Sequence, residues 1–143
     1  MKVYVASSWR NERQPGVVVA LRIAGHNVYD FRHTGGVLDG GFRWSWIDLD
    51  WQEWDAAHFR AIVTSDEPFV VVGFGTDMDA LNAADACVLV LPCGRSAHLE
   101  LGYSVGLGKR TVVLLDERPE PELMYRMVDH LCLTVEEVEE VLK

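Results

Sequence analysis

ACVLVLPCGRSAHLELGYSVGLGKRTVVLLD, residues 86–116, decides the fold. Residues 86–92 are a continuous apolar run, which is how a strand buried on both faces of a parallel sheet reads. Residues 96–108 have the spacing of a helix closed by Gly108, with Ser96 expected as its N-cap. Residues 110–116 are a second buried strand. Strand, helix, strand with short connections is a βαβ unit. Within it, Glu100 stands among apolar and glycine residues just inside the helix. The helix dipole favours a carboxylate in the first turn, so a favourable surface charge is one reading and a group facing a ligand crevice is the other. Gly102 and Gly106 share a face and are expected to let this helix approach the sheet closely.

Working outward, KVYVA (2–6) alternates and reads as the first strand. SSWRNERQPG leads into a helix whose apolar end, VVVALRIAG (17–25), stops at Gly25. HNVYDF (26–31) is the second strand. Residues 48–65 contain a helix expected over about 49–63, with Asp48 or Asp50 as N-cap. FVVV (69–72) looks like a strand by propensity, while residues 76–85 look helical, so a helix over the latter part or the whole is favoured. Asp77 and Asp79 are equal candidates to cap it, and Asp85 ends it against the dipole, which suggests a hydrogen-bonding duty. PELMYRMVDH (121–130) reads as a short helix and LCL (131–133) as a last strand. A terminal amphipathic helix follows, capped by Thr134 with Glu137 three residues on.

The pattern predicts an α/β fold: a single doubly wound, Rossmann-like or flavodoxin-like domain over residues 1–143, with about five parallel strands and helices on both faces. Residues 32–66 are set apart as an insertion or lid, because they hold two Gly-Gly pairs and four of the five tryptophans. Ligands in such folds bind at the carboxyl ends of the strands. That edge gathers Ser7, Ser8, Trp9 and Arg10 after the first strand, and Gly94, Arg95 and Ser96 after the central one. Turn and cap duties are the plain reading of the serines. The alternative is anion binding, by backbone N–H groups at the helix start with Arg95 and Ser96 as added donors. Phe31 and Trp44 suit stacking on a flat base, whereas Trp51 and Trp54, at i and i+3, read as core or interface residues.

Composition limits the partners. The chain of 143 residues carries a formal net charge of −9 at pH 7 and only three lysines, so a nucleic acid polymer is not expected. No run of 18 apolar residues exists, and the start lacks a signal-peptide pattern, so a cytoplasmic protein without a membrane span is expected. The three cysteines read as free thiols, and no metal-binding spacing is present, His98 included, so neither metal nor cofactor is expected. There is no P-loop, and ASSWRN after the first strand lacks a dinucleotide-binding glycine pattern.

VYVASSW (3–9), DMDALNAADACVLVLP (77–92) and HLELGYSVGLGKRTVVLL (98–115) resemble, in order, the nucleoside 2-deoxyribosyltransferase superfamily. Only residues 32–66 have no counterpart. The resemblance implies that Glu100 is a nucleophile toward the anomeric carbon of a sugar, with the glycosyl ester resolved by water or by a second base. It implies that Tyr4 orients Glu100, that Asp77 contacts the leaving base and assists its protonation, and that Asp85 supports the site. Base-exchanging members carry an acid where Gly94 stands here. PCGRSAH is closer to the phosphate-binding loop of the members that hydrolyse nucleoside monophosphates. The expected activity is N-glycosidic cleavage of a nucleoside 5′-monophosphate or related nucleotide, with base transfer as a variant outcome, in a homodimer or larger homo-oligomer. A non-catalytic nucleotide-binding module and an NAD glycohydrolase are the alternatives.

Overall fold

A computed structural model describes every residue, Met1–Lys143. Five strands form one sheet: β1 (Lys2–Ala6), β2 (Asn27–Asp30), β3 (Ala86–Val90), β4 (Arg110–Leu114) and β5 (His130–Cys132). Their order is β2-β1-β3-β4-β5, and every pairing is parallel. This is the flavodoxin-like order of the doubly wound fold, whose switch point lies between β1 and β3. β3 is buried at all five positions, as its unbroken apolar run requires.

The chain divides into two compact units, Met1–Asp30 with Ala80–Lys143, and Phe31–Asp79. In the first, alternation along the strands sends side chains to opposite faces. Val3, Val5, Val88, Val90, Val112 and Leu114 pack with Val17 and Leu21 of α1 (Gln14–Ile23) and with Val138 of α5 (Val135–Val141). Tyr4, Ala6, Cys87 and Leu89 point the other way, toward the face covered by α4 (Arg95–Gly106), which buries Ala97, Leu101 and Ser104. Helices therefore cover both faces, as expected.

The glycine stops act as the sequence implies. At Gly25 (φ 91°) and Gly108 (φ 68°) the chain turns left-handed. Behind Gly108, its N–H donates to Val105 O (3.0 Å) and that of Lys109 to Ser104 O (3.1 Å), a Schellman closure. Lys109 Nζ then donates to Asn82 O and Ala84 O, closing the end of α3 (Pro68–Ala83). Thr134 caps α5 by accepting from Glu137 N–H (3.2 Å), and the Glu137 carboxylate returns to Leu133 N–H (2.7 Å).

Several expectations are corrected. The N-cap of α4 is Gly94, not Ser96, so Glu100 lies in the second turn, beyond the strongest reach of the dipole. Gly102 and Gly106 face outward and do not bring α4 closer to the sheet, since a Cβ on either meets nothing within 4 Å. Ala97 and Ser104 are the small residues on the buried side. Gly102→Ala is accordingly expected to raise stability, by about 1 kcal/mol from helix propensity alone, as read by denaturant unfolding. The helix expected over 121–130 is a 3₁₀ turn, Leu123–Met127, because Asp129 Oδ2 accepts from the N–H (2.7 Å) and Oγ1 (3.1 Å) of Thr111 and draws the following residues into β5.

In the second unit, the Trp/Gly-rich segment belongs to a larger body that extends to Asp79. The helix expected over 49–63 is a 3₁₀ turn, Trp51–Glu53, and a separate α2 (Ala56–Val63). Asp48 is engaged with Trp54 Nε1 (2.7 Å) and Asp50 N–H (2.9 Å), so Asp55 caps α2 instead, accepting from His58 N–H (2.7 Å). FVVV is helical throughout: it lies in α3, whose start is capped by Glu67 through Val70 N–H (2.9 Å), so Asp77 and Asp79 cap nothing. Packing decides here over β propensity. Gly73 faces inward, where a Cβ would come within 3.2 Å of the Phe42 ring and 3.3 Å of Leu38. No helix is long and apolar enough to cross a membrane.

Candidate active site

The carboxyl edge of the sheet is assembled by polar residues of the loop between β1 and α1. Ser7 Oγ donates to Val90 O (2.8 Å). Asn11, 3% exposed, donates from Nδ2 to Val90 O (3.0 Å) and Pro92 O (3.1 Å), and its Oδ1 accepts from Arg13 N–H (2.8 Å). Arg13 Nη1 reaches Leu91 O (3.0 Å) and Leu115 O (3.1 Å). Gln14 Nε2, fully buried, donates to Asp30 Oδ1 (2.9 Å) at the end of β2. These residues tie the ends of β1, β2, β3 and β4 together. Sequence reasoning named Ser7 but passed over Asn11, Arg13 and Gln14. The available signal was a polar run, RNERQ, entering a helix whose next residues are apolar.

Tyr4 is 1% exposed and stacks on Tyr29, with ring centroids 5.1 Å apart and an interplanar angle of 20°. In register, Tyr4 lies between Tyr29 and Cys87. Beyond it on the same face is Ala6, fully buried at the strand's carboxyl end. Glu100 is half-buried on α4, over this face. Its charge is felt by two thiols. Burial first, and then Glu100, push both Cys87 and Cys93 up to about 12. Glu100, Cys87 and Cys93 are therefore neighbours, and Tyr4 is the strand partner of one of them.

Both thiols stay neutral and weakly polar. At pH 8 a thiol with a pKa of about 12 is ionised to roughly one part in 10⁴, so Cys93 is expected to react very slowly with iodoacetamide. Glu100→Gln removes a charge that opposes thiolate formation and should speed that alkylation, which peptide mass spectrometry reads. All three cysteines are free, with Cys87 and Cys132 buried.

Leu91–Pro92–Cys93 turns the chain into α4. Gly94 adopts φ −97°, ψ −159°, and no side chain caps the helix. Arg95 and Ser96 are exposed at this end. An open cleft of about 480 Å³ beside the turn is lined by Cys93, Gly94, Arg95, His98, Asp116 and Tyr125. A slightly larger cleft, about 540 Å³, lies at the amino edge of the sheet between Asp85, Lys109 and Asp129. It holds none of the carboxyl-edge groups, and doubly wound sheets bind ligands at the other edge.

The remaining expected site residues fall in different places. Ser8 Oγ accepts from Arg10 N–H (3.2 Å), a turn contact. Trp9 and Arg10 are exposed on the same loop. Asp85 is at the amino edge, where its Oδ2 accepts from Lys2 N–H (2.7 Å) and joins β1 to β3. The structure thus separates Asp85 from the carboxyl edge by the length of β3. Asp77, half-buried on α3, and Phe31 and Trp44 belong to the second unit. Trp44 is the centre of an aromatic cluster there, edge-on to Phe42 (4.7 Å), Trp54 (5.7 Å) and Phe59 (6.0 Å), and is not a free-standing platform.

No family model and no curated protein matches the chain. Solved structures do. The 2-deoxyribosyltransferase of the psychrotolerant bacterium Bacillus psychrosaccharolyticus superposes with a TM-score of 0.64 at 21% identity, over 97% of this chain and 90% of that one. The CMP N-glycosidase of Clostridium botulinum superposes with a TM-score of 0.55 at 16% identity, over 99% of this chain and 98% of that one. The chain has the fold that the 2-deoxyribosyltransferase and the CMP N-glycosidase display.

Proposed function

We propose that the chain is an N-glycosidase that cleaves the base–sugar bond of a nucleoside 5′-monophosphate or related nucleotide, with Glu100 as nucleophile. The observation that carries this reading is the position of Glu100: a half-buried carboxylate on α4 beside two neutral thiols, over the face that holds Tyr4. The shared fold supports it, since the two solved structures are named for nucleoside transfer and nucleotide cleavage.

The chemistry follows from the groups. The Glu100 carboxylate attacks the anomeric carbon through an oxocarbenium-like transition state. The C–N bond breaks, its electron pair leaves with the base, and the base takes up a proton, a step that the family resemblance assigns to Asp77. Water then hydrolyses the glycosyl ester, or a second base displaces it. Tyr4, fixed against Tyr29, orients the carboxylate. The head of α4, with Gly94, Arg95 and Ser96, receives the 5′-phosphate, assisted by Ser7, Ser8, Trp9 and Arg10. The absence of an acid at Gly94 supports hydrolysis over base exchange, because a free sugar hydroxyl loses that partner.

The test is a chromatographic panel of ribo- and deoxyribonucleosides, their 5′-monophosphates and NAD, incubated with wild type and with Glu100→Ala. Base released from a monophosphate and abolished in the variant is expected. Release from NAD alone makes the activity a glycohydrolase of that dinucleotide, and binding without release anywhere contradicts the enzyme reading.

The protein is further proposed to be a homodimer or larger homo-oligomer. α3 is apolar on nearly all sides, yet Val71, Val72 and Phe74 (68% exposed) are bare, which in a globular protein marks a face that another surface covers. A monomeric mass by light scattering at micromolar concentration contradicts this.

A further inference from the structure

Beside Glu100, α4 carries a polar contact that the chemistry above does not use. His98 Nε2 lies 2.7 Å from the Tyr125 hydroxyl, and its Nδ1 lies 2.8 Å from Gly94 O. The two rings stack at 5.8 Å and 8°. Burial, and then the surrounding negative groups, push the Tyr125 phenol up to about 12, so it remains an O–H donor at neutral pH. The Gly94 carbonyl can only accept, so Nδ1 carries the imidazole proton and donates to it, and Nε2 of the neutral ring accepts from the Tyr125 hydroxyl. The tautomer is fixed from one side and used on the other.

Tyr125 is itself held. Its 3₁₀ turn is capped by Glu122, which accepts from Met124 N–H (2.9 Å), and is followed by Asp129, which is anchored to Thr111 of β4. The line of contacts runs from β4 through Tyr125 and His98 to the carbonyl of Gly94, the residue that starts α4. Asp116, Glu120 and Glu122 line the same cleft as Arg95, so an anion is repelled from all of it except the Arg95 side. A small displacement of the Cys93–Ser96 turn would move a bound phosphate toward those carboxylates.

We propose that His98 and Tyr125 are positioning residues that hold the Cys93–Ser96 turn in the shape that accepts the 5′-phosphate, and so set the preference for nucleotide over nucleoside. This rests on the N-glycosidase reading above. The testing variant is Tyr125→Phe, which keeps the ring stack and removes the donor. KM for the monophosphate is expected to rise about tenfold with kcat within about twofold, as for an interaction made equally in ground and transition states. kcat/KM for the unphosphorylated nucleoside should be unchanged. In ¹⁵N NMR of the His98 ring, the Nδ1–H form should give way to a tautomer mixture. An unchanged KM, or equal losses with both substrates, overturns the proposal while leaving the glycosidase reading intact. If wild type releases no base at all, that reading falls, and the NMR decides the positioning role alone. Amide resonances of Cys93–Ser96 that shift in Tyr125→Phe sustain it, and resonances that stay in place overturn it.

Discussion

Glu100→Gln is expected to reduce base release by at least about 10³-fold while leaving the melting temperature nearly unchanged. The substitution keeps the size and hydrogen-bonding shape of the side chain and removes only the nucleophilic charge. Losing a covalent nucleophile costs this much or more in enzymes that depend on one. No neighbour can take over the role. Cys87 and Cys93, the nearest alternative nucleophiles, are held as neutral thiols, pushed up to about 12 first by burial. Tyr4 is confined by its stack on Tyr29. Because Glu100 is only half-buried and is not among the buried residues of α4, its replacement by the near-isosteric glutamine removes no core packing. Steady-state release of free base, followed by chromatography alongside thermal unfolding, checks both halves of the statement. A variant retaining a tenth of the wild-type rate contradicts the nucleophile role.

Asn11→Ala is expected to have the largest effect on stability, about 3 kcal/mol. Asn11 is buried, with its amide shared between two carbonyls of the β3 end and its oxygen on Arg13 N–H. Truncation removes the buried contact to Val90 O and leaves Pro92 O and Arg13 N–H, both in partly buried positions, without these partners, at about 1–3 kcal/mol for each polar group left unmade, partly offset by water entering. Val90 O keeps the Ser7 hydroxyl, which limits the loss. For a domain of this size the melting temperature should fall by roughly 10 °C. The same contacts hold Pro92, two residues before the N-cap of α4, so activity should fall together with stability. A variant with wild-type melting behaviour contradicts this account of the carboxyl edge.

The sheet was legible because its strands announce themselves by period. KVYVA alternates, while ACVLVLP and RTVVLLD are unbroken, and the glycines at 25 and 108 stop helices at the places their left-handed geometry demands. Five parallel strands and a position for Glu100 follow from that pattern. What failed was local competition between partners. Ser96 is a fine N-cap residue, but Gly94 takes the position because the chain turns two residues earlier, after Pro92 and Cys93. Asp48 and Asp50 lost the cap of α2 to Asp55, since the Trp54 indole claims Asp48. FVVV was ambiguous because β-branched residues favour strands only where a sheet receives them. Tyr4 and Glu100 stand on elements the pattern defines, so their places on β1 and α4 could be read from it. Asn11, Arg13 and Gln14 were not legible, because each acts through carbonyls some eighty or more residues away or through a buried partner on another strand. Asp85 misled for a related reason. Its place before the central strand is plain in the sequence, but the direction of that strand puts it at the amino edge.

The most direct measurement is rapid-quench peptide mass spectrometry of wild type, mixed with the substrate that the panel identifies and stopped in acid before one turnover is complete. The account predicts a mass increase equal to the substrate minus its base, confined to the peptide containing Glu100 and absent from Glu100→Gln. Base release at full rate with no adduct on that peptide, or an adduct on a different residue, would contradict it.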